Sequence, residues 1–330
     1  MPKKFPRLFL CILALTITSL FFFMNLFINQ NIIHYPINGN NKDIVFFSGH
    51  IFGTSIFGKT TKYNIFKTKF IEVGSTLLIP PQIVTSSKNQ WTFLICKNGV
   101  SVYSKSKDEI YRVPVLGGNI ISGSVSILNN KDKYNLLLLI SNNKSKYADN
   151  LVVSSITEDS KGVYFKTLLK KTLTKLKPWK IQTCDVDGDG KYEISIGMYK
   201  TTPLSPVMAK RPFIYQWTGS DIAPKWLGSR LSKPFTDYIF GDINKDGKDE
   251  IISIETLRNK HKIISAYAWK GFGFELIGNS TEYQDVLGIT RSDNAKGNIF
   301  CIIAKVKENS RTIFYTLGYK NGWLVPRGNR

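Results

Sequence analysis

The run Asp185-Val186-Asp187-Gly188-Asp189-Gly190-Lys191-Tyr192-Glu193-Ile194 returns 57 residues later as Asp242-Ile243-Asn244-Lys245-Asp246-Gly247-Lys248-Asp249-Glu250-Ile251. Oxygen-bearing side chains fall at positions 1, 3, 5 and 9 of each copy, and glycine holds position 6. Glycine supplies the positive φ that a tight loop needs there. Oxygens at alternate positions of a coiled loop point inward, the all-oxygen environment that a hard cation such as Ca²⁺ requires. The backbone carbonyl at position 7, Lys191 or Lys248, adds a further oxygen. A pair of solvated acidic turns is the alternative, and it does not explain two copies in one register.

An EF-hand loop needs a bidentate acid at position 12 and flanking helices. Position 12 here is Ile196 in one copy and Ser253 in the other, and each Glu leads directly into a β-branched run. Such runs read as strands. The last acid therefore stands at the mouth of a strand. This arrangement, with Phe240-Gly241 leading into the second copy, resembles the calcium loops of the FG-GAP (integrin-α-like, VCBS-type) β-propeller repeats. The resemblance is specific over about residues 180–280. It implies Asp185, Asp187, Asp189 and Glu193 as side-chain ligands of a first Ca²⁺, and Asp242, Asn244, Asp246 and Glu250 as those of a second. It also implies that such ions are structural. Four carboxylates against three predict that the first site is the tighter, since ligand charge tunes affinity. Glu at position 9, where the family often has Asp, is a departure, and no integrin-type adhesion insert is visible.

Around these loops the chain of 330 residues reads as all-β. Short apolar and aromatic runs such as Ile44–Phe47, Trp91–Ile95, Leu136–Ile140, Leu151–Ile156, Ile263–Trp269 and Ile299–Val306 alternate with Gly, Asn, Asp and Ser clusters. Thr167–Leu176 alone has weak helical periodicity and reads equally as a strand with a basic turn. Tyr215-Gln216-Trp217-Thr218-Gly219 is echoed as Tyr267-Ala268-Trp269-Lys270-Gly271 and more faintly as Tyr319 to Trp323. Decayed loop copies lie at Ile127–Leu136 and Thr290–Ile299, both without the carboxylate set. A period of roughly 50 residues, four strands to each unit, is propeller-blade spacing. The sequence predicts a β-propeller of roughly five to seven four-stranded blades over 43–330, with N-terminal strands closing the last blade beside Ile313–Tyr319.

Lys3, Lys4 and Arg7 precede Leu8–Phe27, which carries no charge. About 20 helical residues span a bilayer core. The reading is a cytoplasmic tail at 1–7, a single transmembrane signal anchor at 8–29, a polar linker at 30–42 and an extracytoplasmic domain. A cleaved signal peptide is the rival reading, but no A-x-A-like site ends the apolar run.

The chain has 45 Lys and Arg against 24 Asp and Glu. The stretch Lys161–Lys180, with Lys166, Lys170, Lys171, Lys175, Lys177 and Lys180, is especially basic. It is either a solvated face or an attraction for polyanions such as anionic cell-envelope polymers. No nucleic-acid module is visible, so nucleic acid is not expected as a partner. His34, His50 and His261 lie in no catalytic or metal motif, and there is no phosphate loop, zinc spacing or nucleophile elbow. Cys96, Cys184 and Cys301 are odd in number, which permits one disulfide but favours buried thiols. The expected protein is not an enzyme but a membrane-anchored, calcium-binding module acting through binding or as a scaffold. A polysaccharide lyase on a propeller and a structural subunit of an envelope complex are the alternatives.

Overall fold

The computed structural model describes strands at 34–36, 43–47, 50–54, 59–64 and 70–75, and the chain from 78 to 327 apart from short gaps. The gaps are 80–81, 86–89, 105–108, 116–117, 129–132, 144, 160–161, 204, 229 and 294–299. The apolar run Leu8–Phe27 and the linker lie outside the described residues. Among the described residues no helix is long and apolar enough to cross a membrane.

The chain divides into two compact units, Met1–Glu72 with Asn294–Asn298, and Val73–Asp293 with Ile299–Arg330. The first holds an antiparallel meander of β1 (His34–Pro36), β2 (Asp43–Phe47), β3 (His50–Thr54), β4 (Lys59–Asn64) and β5 (Phe70–Ser75), whose last strand crosses the boundary.

The second unit repeats one motif. Its meanders are β6 (Gln82–Thr85) to β9 (Glu109–Pro114), with β7 (Gln90–Cys96) and β8 (Gly99–Ser104) between them, and then β10 (Asn119–Ile127), β11 (Tyr134–Ser141), β12 (Asn150–Asp159) and β13 (Gly162–Thr172). The third is β14 (Pro178–Cys184), β15 (Glu193–Thr202), β16 (Ser205–Trp217) and β17 (Ile222–Trp226). The fourth is β18 (Phe235–Gly241), β19 (Glu250–Thr256), β20 (Lys262–Trp269) and β21 (Phe274–Asn279). The fifth is β22 (Asp285–Asp293), β23 (Phe300–Glu308), β24 (Arg311–Lys320) and β25 (Trp323–Pro326). A single parallel pair, Asn279 with Trp323, joins the last two into one eight-stranded sheet.

The apolar runs reflect where each strand lies. The second strand of a meander is covered on both faces, so β7, β11 and β19 are buried along most of their length. Side chains alternate between faces with a period of two. Leu136 and Leu138 of β11 therefore pack toward Phe93 and Ile95 of the preceding sheet. Leu137 and Leu139 pack toward Ile194 and Ile196 of the following one. Further clusters join β14–β17 to β18–β21 and β18–β21 to β22–β25. The core is thus a series of apolar layers between consecutive sheets, which defines a propeller-like all-β fold. Outer strands such as β13 are exposed along much of their length.

The structure corrects two expectations. Ile313–Tyr319 lies within β24 and pairs with β23 and β25, so that meander is completed by Trp323–Pro326 and not by N-terminal strands. The copy proposed at Thr290 is out of register, because Thr290 pairs with Ile303 inside the β22–β23 ladder. Thr167–Leu176 is the end of β13 followed by one 3₁₀ turn at Thr174–Leu176. The three Tyr-led repeats fall at the turn from third to fourth strand, with Gly219, Gly271 and Gly322 all at positive φ.

Candidate functional site

Each acidic loop joins the first strand of a meander to the second, β14 to β15 and β18 to β19. The two loops share one hydrogen-bond scheme. The N–H groups of Gly190 and Gly247 donate to the position-1 carboxylates of Asp185 and Asp242, at 2.9 and 3.0 Å. Those of Gly188 and Lys245 donate to the other oxygen of the same groups, at 2.8 and 2.6 Å. Lys191 and Lys248 donate their N–H to Asp189 and Asp246, at 2.8 and 2.9 Å. Val186 and Ile243 donate to Glu193 and Glu250, at 3.2 and 3.0 Å. One carboxylate collects backbone donors at the head of each loop, and a Glu at the strand mouth closes it. The decayed copy keeps a trace of this, since Leu128 N–H donates to Asn135 Oδ1 at 3.4 Å.

Positions 4 and 6 are left-handed in both loops, with φ of +75° at Gly188, +68° at Lys245, +79° at Gly190 and +84° at Gly247. A Cβ on Gly190 or Gly247 meets nothing within 4 Å, so only backbone conformation penalises it. Gly190→Ala and Gly247→Ala are each expected to cost about 1–2 kcal/mol, the left-handed penalty of an L-residue. Lys245→Gly should not destabilise. Urea midpoints check both; alanine variants as stable as wild type would show that the loops relax out of this conformation. Gly241 answers a different need: a Cβ there would stand 2.1 Å from Phe300 of the next sheet.

The loops interlock. Asp249 N–H donates to the Asp185 carbonyl at 2.7 Å, and Asp249 Oδ2 accepts from Asp185 N–H at 2.9 Å. Burial pushes the Asp249 carboxyl above its ordinary range, against the Asp185 N–H bond and Arg291. A cleft of about 350 Å³ is lined by Asp187 of the first loop and by Asp246, Lys248 and Glu250 of the second, with Trp269 and Lys270 beside them.

Of the residues predicted for the first ion, Asp185, Asp187 and Glu193 come together, with one oxygen of each within 4.8 Å of the others. Asp189 stands outside that group, its carboxylate 3.3 Å from the exposed Lys191 ammonium. Asp187 Oδ1 is buried with no hydrogen-bond partner. Its other oxygen and Glu193 Oε1 both accept from the ammonium of Lys225, on β17. Burial opposes the Lys225 charge, yet its bonds to Asp187 and Glu193 hold its pKa above the usual lysine value.

In the second loop Asn244 Nδ2 donates to Asp246 Oδ2 and to Glu250 Oε1, both at 3.1 Å. Among the described residues no lysine or arginine forms an ion pair with Glu250. Burial raises its carboxyl to about 8; the Ile243 N–H pulls it back, and the charges of Asp246 and Asp242 add to the rise. Among the described residues only the first loop gathers three acids in this way, and its all-oxygen donors with the orphaned Asp187 oxygen fit a hard cation. The second loop offers the same donor pattern around a buried Glu250 bonded to the Ile243 N–H and the Asn244 amide.

Lys225 and Asp249 were missed by the sequence reading. Position 8 is Asp in one copy and Tyr192 in the other, the only signal for Asp249. Lys225 has none, being one of 45 basic residues.

The opposite end of β14 carries a second feature. Lys210 lies 3.8 Å from the Trp179 ring centroid and donates to the Thr236 carbonyl. Lys180 pairs with Asp237 at 2.6 Å. Tyr147 and Tyr199 stack nearly parallel, 5.7 Å apart, with Lys146 5.2 Å from the Tyr147 ring. Burial lowers the Lys210 pKa; Asp237 opposes this, and Lys180 and Lys146 add to it. The basic stretch is therefore divided: Lys166 and Lys170 lie along exposed β13, Lys171 pairs with Asp221 at 2.6 Å, and Lys180 joins this cationic, aromatic face. Cys96, Cys184 and Cys301 are buried thiols, none in a disulfide. His261 is exposed, with Nδ1 3.2 Å from Glu282.

No family model matches the chain, and no curated protein matches it. Among solved structures, one described as an exo-beta-1,3-galactanase from Bifidobacterium bifidum s17 aligns over 78% of this chain and 93% of its own, at 11% identity and TM-score 0.47. A chain from the structure of BBS1N in complex with ARL6DN aligns over 90% of this chain and 79% of its own, at 10% identity and TM-score 0.48.

Proposed function

We propose that the chain is a calcium-ordered β-propeller of FG-GAP (VCBS-type) character. It is held at the cell envelope by the 8–29 segment, faces outward, and serves as a binding module for anionic envelope polymer rather than as an enzyme. The observation that carries this is the pair of loops with one bond scheme, locked to each other through Asp249. A bound Ca²⁺ supplies positive charge to oxygens that backbone donors already orient. Asp185, Asp187 and Glu193 would hold it in the first loop, and Asp242, Asn244, Asp246 and Glu250 in the second. Ordering the loops fixes the mouths of β15 and β19, and with them the stacking of two consecutive sheets. That is a structural role, and it leaves the far end of β14 for the ligand.

Lys146, Lys180 and Lys210 beside Trp179, Tyr147 and Tyr199 combine positive charge with flat aromatic surface, which suits a sugar chain bearing acidic groups. The full chain should be retained on dextran sulfate resin and elute at rising salt, as screening predicts. Changing Lys146, Lys180 and Lys210 together to Gln should lower the eluting salt concentration, while changing Lys166, Lys170 and Lys175 should not. The reverse pattern would place the contact on β13 and its turn and reject this face.

A further inference from the structure

That loops of this kind take up calcium is the reading on which the next step rests, and the step narrows it from two ions to one. We infer that Lys225 is an internal substitute for the metal in the first loop, so that the second loop, with fewer carboxylates at the ligand positions, is the one that takes up calcium.

Its ammonium bonds at once to Asp187 Oδ2 and Glu193 Oε1, two of the three acids that the loop gathers. The Lys225 side chain is 11% exposed and that of Glu193 is 4% exposed, so the pair is withdrawn from water. A divalent ion entering this cluster comes up against the ammonium's charge and competes with it for Asp187 Oδ2 and Glu193 Oε1, and winning them leaves a nearly buried cation without its partners. Stripping a buried charge of its partner is strongly unfavourable. The exposed Lys191 does not compete in this way, because its charge is in solvent and pairs with Asp189.

The second loop shows what the absence of this lysine does. In the third meander Ile214 pairs with Trp226 and Tyr215 with Pro224, which leaves Lys225 as the extra residue of a β-bulge. In the fourth, Ala266 pairs with Gly278 and Tyr267 with Leu276, which leaves Ile277 in the same place. Bulges re-aim one side chain relative to the ladder. At one bulge that side chain is a cation set on the loop's carboxylates. At the other it is an isoleucine packed against the core, and among the described residues Glu250 is met by the Asn244 amide and the Ile243 N–H and by no cation. The same bulge position thus decides whether the loop carries its own cation or needs one from solution.

Calorimetric titration of the full chain, purified in mild detergent and stripped with chelator, tests this with calcium chloride as the probe. Wild type should take up one ion, Glu250→Gln none, and Lys225→Met two. Without calcium Lys225→Met should melt below wild type, and calcium should restore it by a larger shift than wild type shows. Two ions in wild type, or one ion retained by Glu250→Gln, overturns the role of Lys225 while calcium binding stands. No uptake by wild type or by Lys225→Met overturns the calcium reading and this inference together. Should Lys225→Met fail to fold, Glu250→Gln still decides, since only an occupied first loop leaves it an ion.

Discussion

Calcium added to chelator-treated protein should raise Tm by about 5–10 °C at a hundredfold excess over Kd. A ligand that binds only the folded state stabilises it by about 2.7 kcal/mol at that excess. A domain of this size gains about 2–4 °C per kcal/mol. The second loop holds three carboxylates and the Asn244 amide, and among the described residues Glu250 has no ion-pair partner. Burial, and after it the charges of Asp246 and Asp242, disfavours an ionised Glu250, and the ion would offset both. Asp246→Ala should therefore abolish most of the shift, while Asp187→Ala should leave it nearly intact because Lys225 already serves that cluster. Magnesium should substitute poorly, as it demands tighter octahedral geometry. A Tm that ignores both calcium and chelator would reject the metal reading of both loops.

That ordering reverses what the sequence predicts, and the reason is physical. Ligand count within a loop is local and can be read from spacing, so the 1-3-5-9 pattern places Asp185, Asp187 and Glu193 together. Neutralisation is not local. Lys225 lies 32 residues beyond Glu193 and is aimed by a bulge whose register depends on two strands pairing. Asp249 is similar, since its contact is with the neighbouring loop, 64 residues away. Asp189 fits the pattern yet turns outward to Lys191. The repeat itself is legible wherever a side chain still does the loop's work. Asn135 keeps the closing bond and stands in register, whereas Thr290–Asp293, the head of the other copy, lies inside the β22–β23 ladder. The alternation of Leu136 to Leu139 announces a strand covered on both faces, but not which sheets cover it.

Glu255→Ala should destabilise the fold by about 3–5 kcal/mol, as expected when one partner of a buried charged network is removed. Glu255 is 0% exposed, at the end of β19 away from the second loop. Its carboxylate accepts from the Tyr267 hydroxyl, from Ser265 Oγ at 3.0 Å, and from Ser253 and Ser232 Oγ at 3.4 Å, with the Lys233 ammonium at 3.5 Å. Burial and the bond to Glu255 together hold the Tyr267 phenol well above its ordinary pKa. Alanine strands these donors between the third and fourth sheets, where water does not replace the lost acceptor. Glu255→Gln keeps one acceptor oxygen and the side-chain shape, so its cost should be nearer about 1–2 kcal/mol. Urea denaturation of both variants measures the difference, and an alanine variant within about 1 kcal/mol of wild type would mean that the network adds no more than an ordinary hydrogen bond. The loop that ends at Glu250 stands at the other end of the same strand. The folded Glu255→Gln protein should therefore still take up calcium as wild type does, which separates loss of the buried network from loss of the metal site.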